Sequence, residues 1–407
     1  MSSRNPLTAL RRFGLGAKPG ELKRIANDPR GFVLTALSEP ERARIAHAEL
    51  KPSHVVLAAA QEARQAQRIA ARTKEDAAQA EKPAQPPAMA DTPGAGPPPV
   101  PPIRAAEILG QAFQQEAAAR LEAAVATDRP LLERLVMFWS NHFCVSTAKG
   151  AVRGIAGAYE REAIRPHVLG RFADMLIAVE QHPAMLIYLD NAQSIGPNSR
   201  AGRSRGRGLN ENLAREILEL HTLGVDGGYS QDDVTNLARL LTGWTLGTPA
   251  QAKSEPGKFH FAGNRHEPGD WKVLDRLYRD DGAKAGEKAL ADLARHPATA
   301  DHIATKLVRH FVADAAPPAL TTRLAETFRK TDGDLAAVVR ALVASDEAWT
   351  APAQKSVPPY DFVVALMRGF TLDLKPGEVL RLARALGQPL WQPPAPKGWP
   401  DGDEVWF

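Results

Sequence analysis

The sequence predicts a mainly α fold: a multi-helix globular domain with one small β-hairpin and a Pro/Ala-rich insertion. Three observations carry this expectation. From Ile103 almost to the C-terminus, apolar residues recur at helical spacing. Helix-starting signals precede several of those runs. The β signal is confined to Phe259-His260-Phe261 and Trp271-Lys272-Val273-Leu274, parted by a Gly/Asn/Pro-rich turn.

The elements follow in order. Residues 1–75 read as N-terminal helices: Pro19-Gly20-Glu21-Leu22 opens one, and the Ala-rich run 55–75 carries the alternating charges of a solvated helix. Nine of the 33 prolines then fall between Pro83 and Pro102, so 76–103 is expected to be a disordered linker or insertion unable to form a packed core. Residues 104–407 form the main helical domain. Within it Thr127-Asp128-Arg129-Pro130 places a cap before a first-turn proline, ahead of Leu131, Leu132, Leu135, Val136 and Phe138. Ser230 to Asp233 is a variant capping box before Val234, Leu237, Leu240 and Leu241. His182-Pro183-Ala184 and His296-Pro297-Ala298 each start a helix with proline in its first turn.

With 407 residues, 44% of them apolar, the chain buries a sizeable core without disulfides, and its single cysteine, Cys144, excludes an internal one. A thiol-rich zinc or iron–sulfur site is excluded too, whereas histidine and carboxylate metal sites stay open. Lys plus Arg at 51 against Asp plus Glu at 47 leaves +4, too small an excess for a dedicated nucleic-acid binder. No stretch reaches the roughly 18 uncharged apolar residues of a membrane span. Arg11-Arg12-Phe13-Gly14-Leu15 resembles a twin-arginine signal, but Lys18, Pro19, Glu21 and Lys23 follow instead of an apolar segment. The expected location is cytoplasmic, with export alongside a partner left open.

Chemistry concentrates between Gly206 and Thr245. At about 100° per residue, Leu209, Leu213, Ile217 and Leu220 make one stripe, and Asn212, Glu216 and Glu219 an adjacent one, with Arg215 at its edge. Buried at that border, the two glutamates would repel, so one should take up a proton, bind a cation or pair with arginine. Upstream, His142 and Asn141 interrupt the apolar run Phe138-Trp139-Ser140-Asn141-His142-Phe143, and each needs a partner if buried. Arg200, Arg203, Arg205 and Arg207 form a basic loop before a helix start, a combination that favours anions, without the aromatic interleaving of a nucleic-acid site. Asp226 to Asp233 resembles half of an EF-hand loop, but Thr222 and Gly224 stand where the first acidic ligands belong. His266, Glu267, Lys306, Arg309 and His310 add titratable groups without HExxH spacing, and no GxSxG elbow occurs.

Several motifs together resemble one bacterial family, called domain of unknown function 1800. They are Arg12-Phe13-Gly14-Leu15-Gly16, Phe138 to Phe143, Gly208 to Glu216, Glu219 to Val225, Leu241 to Thr245, and Lys397-Gly398-Trp399-Pro400. The resemblance implies one domain spanning nearly the whole chain, interrupted by the Pro-rich insertion, but carries no assigned activity. It also implies a partner, a co-encoded protein of the family called domain of unknown function 1501. Members usually continue some tens of residues past the Lys-Gly-Trp-Pro segment, which leaves open a missing C-terminal helix.

Two functional expectations follow. The first is an enzyme or ligand-binding domain, cation-dependent if a metal is held. His142, Glu216 and Glu219 are its catalytic candidates; Trp139, Asn141, Asn212, Arg215 and Trp244 bind the ligand, and Arg203, Arg205 and Arg207 the anion. No cofactor is indicated. The second is a non-catalytic interaction protein in which the polar cluster only locks helices together.

Overall fold

The computed structural model describes residues 6–80, 104–205, 208–249, 255–352 and 354–402. It is mainly helical, and no helix among the described residues is long and apolar enough to cross a membrane. The Ala-rich run forms a helix over Ser53–Ala80, longer than expected, and the Pro-rich stretch beyond it lies outside the described residues.

The helices that position the site are Ala105–Ala126 (α1), Pro130–His142 (α2), Phe172–Glu180 (α3), Asn212–Glu216 (α4), Gln231–Leu240 (α5), Pro297–Phe311 (α6) and Pro359–Phe370 (α7). Eleven of the 13 residues of α2 are buried, as a helix apolar on nearly all sides must be. Around it one apolar cluster joins Leu10 and Phe13 near the N-terminus to Phe172, Leu237 and Phe311, and a smaller one packs Leu121 and Met137 under Val364 of α7.

Because α2 is buried all round, its charges need internal partners. Arg165 holds Glu133 through two bonds of 2.7 and 3.0 Å, and Asp361 of α7 holds Arg134. Arg165 also bonds Glu160 at 3.0 Å and the Ala43 carbonyl at 2.8 Å, while Arg120 of α1 donates to the other Glu160 oxygen at 2.9 Å. Burial alone would raise the Glu160 carboxyl, but the two arginines outweigh it and hold it below the usual carboxylate range.

The helix starts use the chemistry the sequence offers. His182 and His296 both cap through Nδ1, accepting from Ala184 N at 3.1 Å and Ala298 N at 3.2 Å. Ser230 and Asp233 form the reciprocal box at the start of α5. Ahead of α2, Thr127 Oγ1 accepts from Arg129 N at 3.0 Å, one residue short of the helix itself.

The strands depart from expectation. Phe259–Phe261 and Trp271–Val273 are both extended, but they do not pair with each other. Trp244–Leu246 (β1) takes the ladder of Phe259–Phe261 (β2), and Trp271–Val273 (β3) closes on Arg276–Tyr278 (β4). Gly243, at φ 84°, turns the chain from α5 into β1, where an added Cβ would lie 2.8 Å from the Ala262 carbonyl. Leu274, at φ 52° in the β3–β4 turn, donates its N–H to Asp233 Oδ1 at 2.6 Å, so the α5 capping residue also fixes the hairpin.

The C-terminal prolines have a distinct use. Residues 389–401 run as a strap beside 141–147. Five prolines remove N–H donors from the strap, so it contributes mainly carbonyls. Thr147 N donates to Trp391 O at 2.8 Å, Ser146 Oγ to Pro393 O at 3.3 Å, and Cys144 Sγ to Pro396 O at 3.1 Å. Asn141 closes the far end with two bonds to the Trp399 backbone, at 2.8 and 2.7 Å. Gly398 is at φ 81°, and a Cβ there would lie 2.5 Å from the Asn141 carbonyl. Gly398→Ala is therefore expected to lose about 1–3 kcal/mol and to free the strap, read as faster proteolysis within residues 389–402. Unchanged proteolysis and stability would contradict this role.

Candidate functional site

The site is built around a widened helical turn. α4 continues as a π-turn over Ile217–His221, and burial then repeats every four residues: Leu213 with Ala214, Ile217 with Leu218, His221 with Thr222. His221 thereby takes the inward place that 3.6-residue spacing gives to Leu220, which is left half-buried. Its Nδ1 meets Glu180 Oε1, at the end of α3, at 2.7 Å, with the two side chains 1% and 0% exposed.

A widened turn at a helix end leaves carbonyls open. Polar side chains close them. His142 Nε2 donates to the His221 carbonyl at 3.2 Å, His302 Nε2 of α6 to the Leu220 carbonyl at 3.1 Å, and Thr222 Oγ1 to the Ile217 carbonyl at 2.6 Å. The His142 ring lies among Phe138, Trp139 and Phe143. Burial, with the Lys306 charge adding to it, holds His142 well below the usual histidine range and pushes His302 down to about 4. Both rings are therefore neutral near pH 7, as single donors need to be. His142 Nδ1 and Glu180 Oε2 have no hydrogen-bond partner among the described residues.

A neutral buried histidine disfavours the folded state in acid. With an unfolded value near 6.5 and a folded value of about 4, the contribution of His302 is complete above about pH 7 and declines as the pH falls through that window. Urea unfolding across pH 7.5 to 4 should therefore show a shallower decline for His302→Gln, whose amide can still reach Leu220 O. Identical slopes would remove His302 from the account.

Glu216 is half-buried beside this pair and makes no hydrogen bond or ion pair among the described residues. Burial raises its pKa; Glu219 and Glu180 add to the rise, and His221 and Arg215 oppose it. Glu219 is half-buried as well, but has neighbours of its own. Arg215 lies 3.1 Å from Glu211 and 3.9 Å from Glu219, and Tyr229 is pushed up to about 12 by desolvation and by the neighbouring Glu219 charge. Arg215 thus pairs most closely with Glu211, and of the two glutamates expected to need an arginine it is Glu219, not Glu216, that lies within reach.

The other predicted residues are spread over the fold. Trp139 packs in the core on Phe143 and Phe172, and Trp244 packs edge-on to Phe259 and over Gly286. Asn141 pins the strap, while Asn212 is exposed, its N–H donating to Asn210 Oδ1 at 2.9 Å. The arginine segment expected as a loop is helical over Arg200–Arg205, with Arg203 exposed on it. The Arg205 side chain and Arg207 lie outside the described residues. So the fold brings Glu216 and the backbone anchor of His142 to the same π-turn, with Asn212 one turn earlier on α4, and leaves Trp244 in the core beside β2.

Two residues of this candidate site are not singled out by the sequence, His221 and Glu180. A signal for Glu180 existed: it follows Phe172, Leu176 and Val179 on one apolar helical stripe, where a carboxylate demands a partner. No three His, Cys, Asp or Glu side chains among the described residues group so as to hold a metal ion.

The match of the chain to known families is broad. Residues 8–407 match the family described as "Protein of unknown function (DUF1800)". No curated protein and no solved structure matches the chain. With essentially its whole length matched, the chain belongs to the DUF1800 family.

Proposed function

We propose that the chain is a ligand-handling domain with an acid–base site at the π-turn, in which Glu216 is the group that meets the ligand. The observation that carries this reading is a half-buried carboxyl without a partner among the described residues, beside a dry His221–Glu180 pair. Burial shifts Glu216 toward the pH at which a general acid or base works. Glu180 fixes the ring of His221, so that His221 supports the charge change on Glu216. His142 is a brace on the His221 carbonyl in this reading. The substrate class it fits is a small polar molecule with an exchangeable hydroxyl or amide proton.

The test is a carboxyl-carbon NMR titration of the protein labelled at glutamate, with Glu216 assigned by its absence in Glu216→Gln. Its titration should lie above that of ordinary glutamates and move further when His221 is replaced by Gln. An ordinary Glu216 titration would remove the acid–base role.

A second reading has its own support. The His221–Glu180 pair and His142 are nearly inaccessible and close helix-end carbonyls, as a purely structural lock would. The chain would then act as a non-catalytic partner of a co-encoded protein of the domain of unknown function 1501 type, using the half-buried Glu211–Arg215–Glu219 strip. Co-expression and co-purification of the two, with loss on Arg215→Glu, is the outcome it requires.

A further inference from the structure

We propose that a cavity between α1, α2, α7 and the C-terminal strap is a separate binding site for the uncharged amide group of a small ligand. The cavity holds about 90 Å³ and lies on a face of α2 away from the π-turn, with Met137, Leu390, Trp391 and Trp399 among its apolar walls. A cavity of about 150 Å³ accommodates benzene, so this one suits a group of about three or four heavy atoms.

Its polar lining is unsatisfied in a specific way. Arg120 spends Nε on Glu160 and stacks its guanidinium 4.6 Å from the centroid of the Tyr360 ring. The approach is face-on, and neither Arg120 Nη1 nor Tyr360 Oη has a hydrogen-bond partner among the described residues. Both residues are more than nine-tenths buried, at 6% and 4% exposed. Buried donors without acceptors are costly and uncommon, so these two ask for an acceptor oxygen in the cavity. His310 lines the same space. Its Nδ1 lies 3.0 Å from Asp401 Oδ1, and burial holds the ring neutral, so Nδ1–H donates to the carboxylate. That leaves Nε2, also without a partner, as an acceptor for a ligand N–H.

Charge decides between a carboxylate and an amide. Arg120 is already balanced by Glu160, and Arg134 by Asp361. Asp361 and Asp401 both line the cavity, so an added anion would sit beside two carboxylates without an uncommitted cation among the lining residues. A neutral carbonyl accepting from Arg120 and Tyr360, with an N–H toward His310, satisfies all three orphaned atoms and adds no charge.

Acetamide and acetate are the paired probes, nearly identical in shape and different in charge. Titration up to about 50 mM, followed by the indole N–H signals of Trp391 and Trp399, should give a saturable shift with acetamide and none with acetate. Tyr360→Phe removes only the orphaned oxygen and should weaken acetamide about tenfold at unchanged thermal stability. A crystal grown with acetamide should show it bonded to Arg120. Equal response to both probes, no saturable shift, unchanged affinity in Tyr360→Phe, or ordered water alone in that crystal would overturn the proposal. The readout is independent of the π-turn site, since Glu216→Gln should leave acetamide binding unaltered.

Discussion

Replacing Arg165 with methionine is expected to cost about 3–5 kcal/mol of folding stability. Arg165 is 1% exposed and binds Glu133 and Glu160, each 2% exposed. Removing it leaves Glu160 with Arg120, Ser140 and Trp391, but strips Glu133 of both its described bonds. A carboxylate with no partner in the buried first turn of α2 must either remain charged in an apolar medium or take up a proton, and both are unfavourable at pH 7. The Ala43 carbonyl also loses its donor, which loosens the N-terminal segment against the core. Urea unfolding followed by tryptophan fluorescence measures the loss. A change below about 1 kcal/mol would mean that water or rearrangement satisfies Glu133, and the network would not organise α2 as described.

The second large effect is expected at the π-turn. His221→Leu keeps an apolar side chain of moderate size but strands Glu180, whose other oxygen already lacks a described partner. The expected cost is about 3 kcal/mol at pH 7.5. Its pH dependence identifies the cause. A stranded buried carboxyl has its folded pKa raised above the unfolded value, so the folded state binds the extra proton and the variant regains stability as the pH falls. The deficit against wild type should therefore shrink between about pH 7.5 and pH 5. A constant deficit would point to lost ring packing on Phe143 rather than to Glu180.

Much of the fold was legible because local chemistry and tertiary structure agree. Pro130, Pro183 and Pro297 each occupy a first helical turn, and Ser230 with Asp233 makes the box their spacing predicts. The strand pairing was not legible. Trp244–Leu246 is only three residues long and directly follows the apolar end of α5, so nothing in its periodicity separates it from that helix, and a two-residue turn at non-glycine Leu274 lacks the usual Asn-Gly signal. At the site, the 100° reading held through Glu216 and failed beyond it. The π-turn widens the repeat, turns His221 inward and leaves Glu219 half-buried beside Arg215 and Tyr229. The tryptophans chosen as ligand walls illustrate a different limit: aromatic residues beside polar ones mark cores as readily as sites, and Trp139 and Trp244 are core.

The acid–base reading and the structural one diverge most sharply at Glu216. Had it paired with Arg215, its amide variant would lose stability, but Arg215 is committed to Glu211. The raised pKa gives the opposite sign. Ionised Glu216 disfavours the folded state above its unfolded value, so wild type gains from this group as the pH falls, and Glu216→Gln should be as stable as wild type or slightly more so near pH 7. The decisive measurement is a thermal-shift screen of small hydroxyl- and carboxylate-bearing molecules, run in parallel on wild type and Glu216→Gln. The acid–base reading predicts compounds that raise the melting temperature of wild type and leave that of Glu216→Gln unmoved, with the two unliganded proteins equally stable. A destabilised Glu216→Gln, or a set of ligands that stabilises both proteins alike, would contradict it and leave the π-turn cluster as a structural lock.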